Sequence, residues 1–125
     1  MNNNHQSEQD YLEKILMLSK QLSCVRSIDI AQFMGFSKAS VSVAMKKLEE
    51  KNLIIFNRTT GAITLTEQGK NIANEVLIRH ETLCDFFKSI GVSEKVAEED
   101  ACKIEHDLSD ETFSCLKKHL SKKNK

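Results

Sequence analysis

At 125 residues the chain has room for one domain with a core, or for a small domain and an appended helical unit, and none for a large enzyme. Lysine plus arginine equals aspartate plus glutamate at 18 each, so net charge names no partner and only its distribution can. No apolar run reaches the roughly 18 residues of a membrane span, and the first residues are polar rather than signal-like. Cys24, Cys84, Cys102 and Cys115 form no CxxC pair. These features read as a cytoplasmic protein with reduced thiols, no membrane partner and no small organic substrate.

Proline is absent and glycine occurs only at Gly35, Gly61, Gly69 and Gly91, the profile of helices punctuated at a few turns. Residues 9–19 place Leu12, Ile15, Leu16 and Leu18 at helical spacing, with Asp10 and Glu13 on the face away from the core. Ser27 is the expected cap of a short helix over 28–34 that Gly35 ends. Ser37 caps a second helix running to about residue 52, with Val41, Ala44, Met45 and Leu48 as its inward stripe. Two short helices about Gly-Phe-Ser make a helix-turn-helix. Residues 53–56 and 62–65 are β-rich runs about a polar loop with Gly61, so a hairpin, or wing, follows. Thr66 opens a long helix over 67–90, Gly91 stops it, Ser93 opens an acidic helix over 94–108, and Ser109 opens a last helix bearing Phe113, Leu116 and Leu120. The polar head and the tail 121–125 are expected to fray.

Within the acidic helix, Cys102, Glu105 and His106 stand at i, i+3 and i+4, so in a continuous helix their side chains leave one face and converge. A thiolate, a carboxylate and an imidazole suit Fe(II), Zn, Co or Ni better than Mg or Ca. The plainer alternative has Cys102 packed inward with Ile104 and Leu108 while Glu105 and His106 face solvent. Acidic residues 94, 99, 107, 110 and 111 are expected on a solvated face.

The helix opened by Ser37 has small or hydroxyl-bearing residues in its first turns, Ala39, Ser40 and Ser42, followed by Val43, which permit close approach to base edges in a major groove. Lys38, Lys46, Lys47 and Lys51, with Arg58 in the wing, reach toward phosphates. Residues 27–70 hold six basic and four acidic side chains, so the basic character is local and modest.

The order of helix, helix-turn-helix, wing, Leu-Thr-Glu-Gln-Gly-Lys, a long helix with Arg79-His80-Glu81, then Glu-Asp-Ala-Cys-Lys-Ile-Glu-His-Asp-Leu-Ser-Asp-Glu resembles the diphtheria toxin repressor family of metal-dependent transcriptional repressors. The resemblance runs from about residue 9 to 120 and is most specific at Cys-x-x-Glu-His. It implies a homodimer joined through C-terminal helices, with metal between them and the DNA-binding unit. Cys102, Glu105 and His106 match the iron-responsive branch, where the cysteine belongs to the regulatory site. Asp10 and Glu13 match carboxylates of the manganese-responsive branch, and His80 matches a histidine of both. Cys84 stands where the family often has glutamate, and Glu98 where the iron branch has histidine; both keep a donor, so the resemblance allows a second site of His80 and Glu98 with either Cys84 or Glu13. The third, SH3-like domain of the iron-responsive proteins is expected to be absent.

Together these readings give a mainly α fold with a small β-hairpin, a winged helix-turn-helix DNA-binding domain over 1–71, and a helical dimerisation and metal-binding domain over 72–125. The function expected is a non-enzymatic, metal-dependent repressor of metal homeostasis that binds a palindromic double-stranded operator as a homodimer. Fe(II) is favoured over Mn(II), with Zn or Co able to substitute in vitro, because a thiolate and the Irving–Williams order both favour the softer ions. The alternatives are a metal-independent winged-helix regulator with a helical dimerisation tail, or a small metal-binding protein or enzyme.

Overall fold

The computed structural model describes residues 3–123, with side chains described over 7–122. Six helices and a hairpin follow one another as α1 (Asn3–Ser19), α2 (Ser27–Met34), α3 (Lys38–Glu50), β1 (Ile54–Phe56), β2 (Ile63–Leu65), α4 (Glu67–Ser89), α5 (Glu94–Ile104) and α6 (Asp110–Lys123). The chain is mainly α with a small β-hairpin, as the sequence pattern predicts. Helix α1 begins well before the expected residue 9, and 121–123 continue α6 instead of fraying; residues 1, 2, 124 and 125 lie outside the described residues. The backbone divides into two compact units, Met1–Asn74 and Glu75–Lys125.

In the first unit α1 packs against α2, α3 and β2, burying Leu12, Ile15, Leu16 and Leu18 as the helical spacing requires. The same helix also buries Tyr11 and Glu13, so Glu13 does not lie on an outward face. Arg26, not Ser27, is the cap of α2: its backbone is extended and its N–H donates to Asp29 Oδ2 at 2.9 Å, leaving Ser27 inside the first turn. Gly35 ends α2 in the left-handed region (φ +72°), where a side chain is disfavoured. Ser37 caps α3 by accepting the Ser40 N–H at 3.1 Å, and Val41, Met45 and Leu48 turn inward. Helix α3 ends at Glu50, just short of the expected 52, because Asn52 takes a left-handed φ of 60° and turns the chain into β1. The hairpin is antiparallel, pairing Ile54 with Leu65 and Phe56 with Ile63, and Ile54 and Ile63 face inward.

The second unit gathers Leu83, Cys84 and Ala101 with Phe87, Leu108 and Leu116 packed against them. Gly91 turns the chain at φ +99°, and Ser93 and Ser109 cap α5 and α6 by accepting the N–H groups of Val96 and Thr112. Helix α5 stops at Ile104 rather than near 108: Glu105 still bonds back to Ala101 at 3.0 Å, but Asp107 bonds to Ile104 in a tighter turn. Three residues of the turn are thus needed before Ser109 opens α6. Arg79 holds that turn, donating to the Leu108 carbonyl at 2.8 Å and to the exposed Asp110 carboxylate, with its guanidinium 4.9 Å from the Phe113 ring centre. Arg79→Ala strips the donor from Leu108 and the cation from the ring, and is expected to lower stability by about 2 kcal/mol in urea unfolding of chelated protein, most of it from the charged donor lost at a carbonyl. The Asp110 pair contributes little, since its carboxylate is almost fully in water.

Candidate metal centre

His80 sits in the middle of α4, one helical turn before Cys84, so the two side chains leave the same face. Its Nδ1 lies 2.7 Å from Glu105 Oε2, and its Nε2 lies 2.7 Å from Glu98 Oε2. A sulfur stands on each side as well: Cys102 Sγ is 3.8 Å from Nδ1, and Cys84 Sγ is 3.6 Å from Nε2. The remaining oxygen of Glu105, Oε1, is 3.4 Å from His106 Nε2. Thus Glu105 links the two imidazoles, and Cys102, Glu105 and His106 come together without sharing one helical face. Cys102 leaves the last turn of α5, Glu105 caps that helix, and His106 follows in the turn.

Cys102 is exposed and Ile104 is 38% exposed, so the alternative in which both pack inward is overturned; only Leu108 of that trio joins the packed cluster. Cys84 is buried in that cluster, yet it also shares a donor group with His80 and Glu98 whose atoms all lie within 4.8 Å of one another. Acidic residues 94, 99, 107, 110 and 111 are exposed, as expected. In the first unit Asp10 is half-buried on α1, while Glu13 is 1% exposed with Lys14 Nζ 3.5 Å from its Oε1.

The electrostatics of His80 follow from its neighbours. The Cys102 sulfur and the Glu105 and Glu98 carboxylates favour the charged ring and, against the opposing effect of burial, raise its pKa from 6.5 to about 12. Its imidazolium donates to a carboxylate from each nitrogen. Burial pushes the Cys84 thiol up to about 11, and His80 in turn lowers the pKa of Glu98. Glu105 Oε1 is a buried oxygen with no hydrogen-bond partner among the described residues. An anionic oxygen so placed, among imidazoles and thiols, fits a divalent transition ion, because positive charge at that spot meets a buried acceptor that takes no hydrogen bond among the described residues.

The candidate nucleic-acid face lies in the first unit. Ser37, Lys38, Ala39, Ser40, Ser42, Val43, Lys46 and Lys47 are all exposed on or beside α3, around the side opposite its buried stripe. Arg58 is exposed in the wing, but both its terminal nitrogens are 3.1 Å from the oxygens of Glu49, and it lies over the Phe56 ring at 5.6 Å. Lys51 is likewise tied to Glu8. Sequence reasoning missed these two pairs because Glu8 and Glu49 are remote in sequence from their partners; it missed the Arg79 anchor for the same reason.

A winged helix-turn-helix with its lysine-bearing recognition helix in the open, followed along the chain by helices that collect imidazole, thiol and carboxylate donors, defines a DNA-binding regulator of the metal-responsive class. Residues 5–62 match the N-terminal DNA binding domain of the iron dependent repressor family, and residues 66–125 match its metal binding and dimerisation domain. The chain belongs to that family, the diphtheria toxin repressor family of the sequence resemblance. It is 35% identical over 119 residues to an uncharacterized HTH-type transcriptional regulator of Methanocaldococcus jannaschii, covering 94% of each. It is 37% identical over 103 residues to the HTH-type transcriptional regulator MntR of Bacillus pumilus, covering 82% of this chain and 71% of that protein. Among solved structures it resembles a manganese-dependent transcriptional repressor in complex with manganese, with a TM-score of 0.84 at 28% identity over 91% of this chain. It spans 52% of that structure's length. No helix among the described residues is long and apolar enough to cross a membrane.

Proposed function

We propose that the chain is a metal-dependent transcriptional repressor that guards metal homeostasis, using a divalent metal as corepressor. The observation that carries this reading is the meeting of His80, Glu105 and Cys102, with one buried carboxylate oxygen left over. We assign His80, Cys102, Glu105 and His106 as ligands, and propose Asp10 and Glu13 of α1 as further ligands, as the family resemblance implies. The domains assigned are 1–71 for DNA and 72–125 for metal and dimerisation. A bound ion supplies the positive charge that lets several anionic groups share one place.

The residues do the remainder. Without that charge, the single imidazolium of His80 faces two carboxylates, Glu98 and Glu105, and carboxylates brought to the same place repel one another. An ion bound by these ligands would act as corepressor by shifting a population toward the DNA-binding state, with no contact to DNA of its own. In a homodimer with two-fold symmetry, two recognition helices about 34 Å apart match the half-sites of a palindromic operator. Ser40, Ser42 and Val43 face base edges, while Lys38, Lys46 and Lys47 contact phosphates. Arg58 adds to them only after exchanging Glu49 for a phosphate.

Fe(II) is the metal we favour, since the accessible sulfur of Cys102 is a softer donor than Mn(II) prefers. Manganese dependence is a property of the similar repressor whose structure is solved with manganese. The test is DNA retardation by the full chain with Fe(II), Mn(II), Zn or chelator under reducing conditions. Retardation only with metal, strongest with Fe(II), is expected, with log affinity falling by about 0.9 per phosphate contact for each decade of salt. Equal retention in chelator overturns the reading.

A further inference from the structure

The two faces of the His80 ring are not equivalent. On the Nδ1 side stands Glu105, with a side chain 1% exposed and a second oxygen, Oε1, that accepts no hydrogen bond among the described residues and has His106 Nε2 3.4 Å away. On the Nε2 side stands Glu98, with a side chain 54% exposed, so water serves its remaining lone pairs. Cys84, beside Glu98, is buried and aims its thiol at the Ala97 carbonyl, 3.8 Å away. An imidazole that binds an ion through one nitrogen donates its other N–H to an acceptor, most often a carboxylate or carbonyl, and that acceptor fixes which nitrogen carries the lone pair. The side short of positive charge is the Nδ1 side; the side already satisfied is the Nε2 side.

Building on the metal-dependent reading above, we infer that Glu98 is a positioning residue for His80, holding the Nε2–H so that Nδ1 faces the ion held by Glu105, and is not a ligand of a second ion with His80 and Cys84. The donor group of His80, Cys84 and Glu98 is then one ligand's support rather than a separate site. Cys84 is held in the packed cluster, its sulfur 3.6 Å from Nε2. The carboxylate of Glu98 polarises the imidazole from behind and makes Nδ1 a stronger donor.

The two roles differ in what they do to the number of ions bound. The experiment is Co(II) titration of the full chain under reducing conditions, following the thiolate-to-cobalt absorption and counting ions by elemental analysis. Glu98→Ala is expected to lower Co(II) affinity by about 10- to 100-fold. Glu98→Gln is expected to lose less, because the amide oxygen still accepts from Nε2–H. Both variants bind as many ions per chain as the unaltered protein and keep its thiolate absorption. Cys84→Ser also keeps the absorption, whereas Cys102→Ser loses it. A drop in ions per chain in Glu98→Gln or Cys84→Ser overturns the inference, as does unchanged affinity in Glu98→Ala or loss of the absorption in Cys84→Ser. An unaltered chain that takes up no Co(II) defeats the metal-dependent reading itself, and is told apart from those outcomes by the unaltered sample alone.

Discussion

His80→Ala is expected to lower Fe(II) or Co(II) affinity by more than about 100-fold, the upper limit for losing a mere supporting partner of a ligand, and to abolish metal-dependent retention of operator DNA. Its ring lies within 4 Å of both flanking carboxylates and both sulfurs, so its removal dismantles the centre from the inside. The metal-free variant is also weakened. Glu105 is almost fully buried, and without His80 it keeps His106 Nε2, 3.4 Å from its Oε1, as a neighbouring nitrogen. Breaking such a pair by removing one partner costs about 3 kcal/mol, readable in denaturant unfolding of chelated protein.

The proton on His80 gives this prediction a pH signature. Its folded-state pKa of about 12 lies above the unfolded value of 6.5, so the proton stabilises the metal-free fold fully below pH 6.5, and that stabilisation fades as pH rises toward 12. An ion at Nδ1 must displace the same proton. Metal affinity of the unaltered chain therefore climbs about tenfold per pH unit across the neutral range from this group alone. Isothermal titration between pH 6 and 8 checks it; a flat profile would mean that no proton leaves His80 on binding, and the residue would lose its place as a ligand.

Much of this arrangement is written locally in the chain. Ser37, Ser93 and Ser109 announce their helices because a hydroxyl that can reach the third N–H onward needs only its own neighbours. Gly35 and Gly91 announce their ends for the same local reason. Where the sequence reading departs from the fold, a partner that the capping pattern does not name decides, whether near in sequence or far. Ser27 looked like a cap, but Asp29 takes the N–H of Arg26 and starts the helix one residue sooner. The acidic pattern ran on to residue 108, but Arg79 takes the Leu108 carbonyl, and the segment from Glu105 to Asp107 turns. Glu13 had the spacing of a solvent-facing residue, and burial on all sides of α1 is a tertiary fact that spacing cannot carry. For the site, ligand types were legible and roles were not: Glu98 and Cys84 carry donor atoms at a suitable spacing, while their exposure and hydrogen bonds separate support from ligation.

Of the glycines, Gly69 lies closest to neighbouring backbone, and Gly69→Ala is expected to destabilise the DNA-binding unit by about 3 kcal/mol, at the upper end for overpacking. The residue lies in the first turn of α4, where Thr66 Oγ1 accepts its N–H at 3.1 Å and donates to the Asn52 carbonyl at 2.8 Å. The Thr66 N–H is bonded to the Leu53 carbonyl at 3.1 Å, so the strand entry is drawn against the helix by its own hydrogen bonds. A methyl group at position 69 would overlap the Leu53 carbonyl oxygen and crowd its carbon. No side-chain rotation relieves that overlap, since the obstacle is backbone flanked by the buried Leu53 and Ile54. Either α4 lifts away and loses the cap, or β1 shifts and moves the wing with it. Gly35→Ala is the natural comparison, because it meets open space and carries only the strain of its left-handed φ of +72°, about 1 kcal/mol. Urea midpoints of the two chelated variants should therefore fall in the order unaltered, Gly35→Ala, Gly69→Ala, with the second loss roughly three times the first. Equal losses would mean that Leu53 yields to the methyl group, and that the contact between strand entry and helix is soft instead of fixing the angle at which the wing is held.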